Sequence, residues 1–107
     1  MKFGLKENII DKIADVLAEH PQIEKAMLYG SRAKGNYKNG SDIDLTLFGE
    51  KITLQLINKI NGKIDDLLLP YKIDISIFSQ ISNEELIEHI NRVGVILYKK
   101  PNGKNDI

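Results

Sequence analysis

Two segments constrain the fold of this chain more than anything else in it. Asp42-Ile43-Asp44-Leu45-Thr46-Leu47-Phe48 and Lys72-Ile73-Asp74-Ile75-Ser76-Ile77-Phe78 both alternate aliphatic with polar residues. Side chains alternate across a β-strand, so Ile43, Leu45 and Leu47 fall on one face while Asp42, Asp44 and Thr46 fall on the other. The second segment repeats the division, with Ile73, Ile75 and Ile77 opposed to Asp74 and Ser76. Between the two, Ile57, Ile60, Ile64, Leu67 and Leu68 recur at helical spacing and stop before Pro70, with Gly62 a weak point. Strand, helix and strand in this order make a βαβ unit, whose strands are parallel and whose crossover is right-handed.

The other elements are read the same way. Ile9, Ile10, Ile13, Val16 and Leu17 form the apolar stripe of a first helix that ends near Pro21. Glu24 to Tyr29 is a first strand that stops at Gly30. Ser31 to Gly40, rich in Gly, Asn, Ser and Lys, is a loop or a short helical turn. Ser82-Asn83-Glu84-Glu85 has capping-box spacing and opens a third helix through Leu86, Ile87, Ile90 and Val93. Gly94 fits its end, and Val95 to Tyr98 form a last short strand. The predicted order is α-β-β-α-β-α-β, an α/β (α+β) fold with a mixed sheet. Its first two strands are antiparallel and its helices pack on one face. Residues 1–98 form the domain, and 99–107 are expected to be a mobile tail.

The aliphatic faces suit a helix-covered core, which leaves the acids together on the opposite, open face. Adjacent strands lie ~4.8 Å apart, so Asp74 can sit beside Asp42 or Asp44. Crowded carboxylates repel and raise one another's pKa values unless cations neutralise them. An oxygen-only donor set favours Mg²⁺ or Mn²⁺, and two such ions ~3.5–4 Å apart would clamp the attacking and leaving oxygens of a displacement at phosphorus. Gly30-Ser31 stands eleven residues ahead of the first acid. Gly30 lets the backbone approach a triphosphate closely, Ser31 offers a hydroxyl and an N–H, and Arg32 and Lys34 add positive charge nearby.

At 107 residues the chain makes one domain, with no room for a separate domain to bind an acceptor. Its net charge of zero argues against direct nucleic-acid binding. The lack of cysteine, of an apolar run long enough to cross a membrane, and of a hydrophobic leader points to the cytoplasm. His20 reads as a residue closing the first helix, His89 as one on the exposed side of the third. Tyr37 reads as a loop residue with some chance of touching nucleotide. Tyr71 and Tyr98 read as packing groups at strand ends.

Gly30-Ser31-Arg32-Ala33-Lys34-Gly35 followed by Ser41-Asp42-Ile43-Asp44-Leu45 resembles the signature of the DNA polymerase β-like nucleotidyltransferase superfamily. Within it, the chain is most similar to the minimal nucleotidyltransferases, and the likeness runs from the first helix to the last strand. The resemblance implies a polymerase β palm-like fold and a nucleotidyltransferase activity. It implies Asp42 and Asp44 as metal ligands, Asp74 as the third carboxylate and helper in deprotonating the acceptor hydroxyl, and Gly30 and Ser31 as holders of the triphosphate. It also implies ATP as donor and a HEPN-domain protein as partner. The transferase would be the antitoxin of that pair, moving AMP onto a tyrosine of the toxin. Lys34 stands where some relatives carry arginine, a change that keeps the charge. Two alternatives remain open: transfer to a small hydroxylated molecule such as an aminoglycoside, and a non-catalytic antitoxin that acts by occlusion.

Overall fold

The alternating segments pair as the βαβ reading requires. The computed structural model describes residues 2–101. Its elements run α1 (Glu7–Ala18), β1 (Lys25–Tyr29), α2 (Ser31–Lys34), β2 (Ile43–Phe48), α3 (Leu54–Asp65), β3 (Ile73–Ile77), a 3₁₀ turn (Phe78–Gln80), α4 (Glu84–Val93) and β4 (Val95–Lys99). The strands form one four-stranded sheet in the order β3-β2-β1-β4. β2 and β3 are parallel, whereas β1 is antiparallel to both of its neighbours. The short helical turn expected after Gly30 is α2.

One face of the sheet carries the main core. Ala26, Leu28, Ile43, Leu45 and Leu47 from the strands pack with Ile13 and Leu17 of α1 and Ile57, Ile60 and Ile64 of α3. Each Leu or Ile side chain among them stabilises the fold by about 1.5–3 kcal/mol when fully buried. The Thr53 hydroxyl accepts the Leu56 N–H at 3.1 Å and so starts α3.

The opposite face is not bare. Met27 and Tyr29 alternate with the core residues Ala26 and Leu28, so β1 is apolar on both sides. Cover for the second side comes from α4. His89 meets the Tyr29 ring edge-on at 6.1 Å between centroids, and Gly94 sits against Met27. Ile90 of α4 is fully buried yet lies outside the main core cluster. The expectation of helices on one face therefore holds for α1 and α3 and is corrected for α4. The physical reason is that a central strand apolar on both faces needs both covered.

Three smaller readings change as well. The cap of α4 is Asn83, whose Oδ1 accepts the Leu86 N–H at 3.0 Å, and Ser82 lies one residue outside it. Leu68, read as part of the apolar stripe, is 88 % exposed, because α3 ends at Asp65 and Leu68 turns the chain at φ 54°. Lys99, assigned to the tail, closes β4, and the Lys100 N–H donates to Glu24 O at 2.9 Å. The expected tail beyond residue 101 lies outside the described residues. Among the described residues no helix is long and apolar enough to cross a membrane.

Candidate active site

The parallel register of β2 and β3 sets Asp44 directly opposite Asp74. The antiparallel register of β1 and β2 sets Asp44 opposite Tyr29. Tyr29, Asp44 and Asp74 thus form a row across three strands at the end of the sheet where β1 breaks off. Asp42 lies just before β2 rather than inside it, exposed, as Asp74 is; Asp44 is half-buried. Thr46, next along that face, is completely buried. The face is open at its aspartate end.

Electrostatics single out Asp44. Burial, then the charges of Asp74 and Asp42, push its carboxyl above the usual carboxylate range. Burial likewise raises the Tyr29 phenol, and the charges of Asp44 and Asp74 push the same way. Acids that crowd into a half-buried position are held apart from full ionisation, a penalty that a cation would relieve. The oxygen donors of Asp42, Asp44 and Asp74 suit a hard divalent ion. As the chain stands, no group of three acidic or histidine side chains among the described residues is drawn close enough to encircle one.

Gly30 joins β1 to α2 and lies against Asp44. Its backbone, at φ 78° and ψ −157°, is in a region essentially reserved for glycine, and a Cβ there would collide with the Asp44 carboxylate. Only glycine allows the chain to pass this close to the acid. Ser31 follows as the first residue of α2, half-buried. Gly30 is thus brought beside Asp44, with Ser31 next to it in the chain.

Arg32 does not join them. Its side chain is 2 % exposed and its guanidinium donates to the carbonyls of Phe3, Asn39 and Ser41 at 2.9–3.3 Å. It also stands over the rings of Tyr37 and Tyr71, 5.4 and 5.0 Å from their centroids. The reading of Arg32 as a phosphate ligand is therefore corrected. Its fork is spent on fixing the loop between α2 and β2 to the N-terminal segment and to Tyr71. Tyr37 is engaged there too. Lys34 is exposed at the end of α2, with no hydrogen bond or ion pair fixing it among the described residues.

His89 is the residue that sequence reasoning missed. Far from facing solvent, its Nε2 accepts the Gly30 N–H at 3.0 Å. The only signal available was its position one residue before Ile90 on a helix whose partner strand is apolar on both faces.

The geometry finds its counterpart among known proteins. Residues 11–102 match the family model described as polymerase beta, nucleotidyltransferase. The chain belongs to this family. No curated protein sequence matches it. Among solved structures it is similar to one described as a toxin–antitoxin with AMP-PNP, at 20 % identity over 92 % of this chain and 77 % of that one, with a TM-score of 0.67. It is also similar to a chain in the complex of a tri-AMPylated Shewanella oneidensis HEPN toxin with MNT antitoxin, at 16 % identity over 90 % and 74 %, again with a TM-score of 0.67. A third is the toxin–antitoxin MntA–HepT, at 16 % identity over 89 % and 74 %, with a TM-score of 0.65. At these identities the likeness is one of fold. Family and fold together make this chain a nucleotidyltransferase.

Proposed function

We propose that this nucleotidyltransferase moves AMP from ATP onto a hydroxyl of a partner protein, a tyrosine of a HEPN-type toxin, and so acts as the antitoxin of a pair. The observation that carries the reading is the Asp44–Asp74 register with Gly30 packed against Asp44. It sets a glycine turn beside paired acids at the open end of a sheet. The choice of AMP and of a HEPN partner draws on the fold neighbours, described as carrying AMP-PNP in one case and a tri-AMPylated HEPN toxin in another.

In this reading Gly30 and Ser31 receive the triphosphate, Ser31 through its hydroxyl and backbone N–H. Asp42, Asp44 and Asp74 would hold Mg²⁺ or Mn²⁺, which when bound neutralises the phosphates and stabilises the attacking and leaving oxygens. Asp74, exposed at the sheet edge, takes the proton of the incoming hydroxyl. The hydroxyl oxygen bonds to the α-phosphorus, the bond to the bridging oxygen of the β-phosphate breaks, and pyrophosphate leaves. In this reading Lys34, exposed on α2, meets that departing charge.

The test is incubation with α-³²P-labelled ATP and Mg²⁺, with and without a HEPN partner, beside the Asp42→Asn/Asp44→Asn variant. Label on the partner that disappears with the variant supports the proposal. Tight partner binding by both proteins with no label on either overturns it and leaves an antitoxin that works by occlusion.

A further inference from the structure

We propose that His89 is the positioning residue of the triphosphate cradle: its neutral imidazole holds the Gly30 peptide in place, so that Gly30-Ser31 is set before nucleotide arrives. The inference deepens the transferase reading and rests on it for what the cradle receives.

Glycine is the residue with most backbone freedom to lose, so a Gly-Ser turn does not organise itself. The ladder between β1 and β2 ends at Tyr29 and Asp44, one residue short of Gly30. On the other side, the Gly30 carbonyl accepts the Lys34 N–H at 3.0 Å and so begins α2. The Gly30 N–H belongs to neither system. Its acceptor is supplied from a position 59 residues away, by His89 Nε2 at 3.0 Å. An imidazole can accept at Nε2 only when neutral with its proton on Nδ1. The edge-on contact with Tyr29 fixes the ring plane that aims Nε2 at Gly30. Gly30 is therefore held from one side by α4, while its Cβ-less side rests on Asp44. The consequence is that α4 and the cradle move together, so whatever displaces α4 displaces the cradle.

Two variants separate this role from packing. His89→Phe keeps a ring against Tyr29 but has no acceptor; His89→Gln restores an acceptor near the position of Nε2. Amide exchange at Gly30 by NMR reports the peptide, and titration calorimetry with ATP and Mg²⁺ reports the cradle. His89→Phe is expected to speed Gly30 exchange and weaken ATP binding, each by roughly three- to tenfold, the size of one lost hydrogen bond. His89→Gln is expected to stay near the wild-type protein in both. Unchanged exchange and affinity in His89→Phe overturn the inference. So does equal damage in both variants, which would leave only a packing role. Should either variant fail to fold, the wild-type ¹⁵N spectrum decides: a protonated Nε2 on His89 is incompatible with the role. A wild-type protein that binds no nucleotide refutes the transferase reading, and the exchange comparison alone then decides whether His89 fixes the peptide.

Discussion

Gly30→Ala tests the closeness of cradle and acid directly. Two costs add. The backbone at φ 78° and ψ −157° leaves the region open to L-residues, a strain of about 1–3 kcal/mol. The new Cβ also meets Asp44, whose Cγ lies 3.3 Å from that point and whose nearer carboxylate oxygen must move away. The sum is about 2–4 kcal/mol against a total stability of about 5–15 kcal/mol for a domain. At about 4–8 °C per kcal/mol for a chain of this size, the melting midpoint should fall by roughly 8–32 °C. Gly35→Ala is the control: φ is also positive there, at 93°, but among the described residues no atom stands within 4 Å of the added Cβ. It should cost only about 1–2 kcal/mol, the left-handed penalty alone. An Asp44→Ala background removes the obstructing carboxylate, and the Cβ that remains is 3.6 Å from the new methyl, an ordinary contact. Gly30→Ala should there become cheaper by about 1 kcal/mol or more, measured by urea denaturation as a double-mutant cycle. If Gly30→Ala costs no more than Gly35→Ala, or costs the same in both backgrounds, the close approach of Gly30 to Asp44 is wrong.

Other perturbations follow from the charges. Asp44 has a raised pKa, so its stabilising contribution is complete below the unfolded carboxylate range and is lost as pH rises through the folded value. Without divalent cations, Asp44→Asn should therefore be the more stable protein at neutral pH, with the gap closing on acidification; a constant gap in thermal melts counts against the crowding. His20 is buried, its Nε2 without a hydrogen-bond partner among the described residues, and burial, then Lys63 and Lys59, lower its pKa. Its contribution is present above the unfolded value of about 6.5 and is lost as pH falls through the folded one. His20→Leu should gain about 1 kcal/mol at neutral pH and lose less on acidification, as read by melting from pH 7 to 5. Arg32→Lys replaces a fork that serves three carbonyls and two rings with a single ammonium. A loss of about 2–3 kcal/mol is expected, and an unchanged denaturation midpoint would refute the anchoring role.

Much of the scaffold was legible because period-two patterning leaves little choice. In β2 and β3 a one-residue slip would turn every aliphatic side chain away from the core, so the face of Asp44 and Asp74 follows from their neighbours. Their exact pairing did not follow, since the parallel register is set by how α3 and its turn at Leu68 return the chain. Arg32 misled for a related reason. A cation two residues after a Gly-Ser turn has the same composition whether it faces a phosphate or the loop's own carbonyls. The carbonyls of Phe3, Asn39 and Ser41 are invisible in a side-chain alphabet.

His89 was hidden by sequence distance, but β1 carried a trace of it. Lys25-Ala26-Met27-Leu28-Tyr29 does not alternate apolar with polar, which sets it apart from β2 and β3. A strand apolar on both faces must be central and covered twice. With α1 and α3 committed to the Ala26 and Leu28 side, the remaining helix has to lie over Met27 and Tyr29. Tyr29 is the last residue before Gly30, so a helix that covers Tyr29 also reaches the cradle. Its inward-facing polar residue then becomes a partner for the Gly30 N–H, which neither the sheet nor α2 satisfies. The cover demanded by a hydrophobic strand and the acceptor demanded by a glycine turn are met by the same helix, so a change in how α4 packs on β1 reaches the site as well.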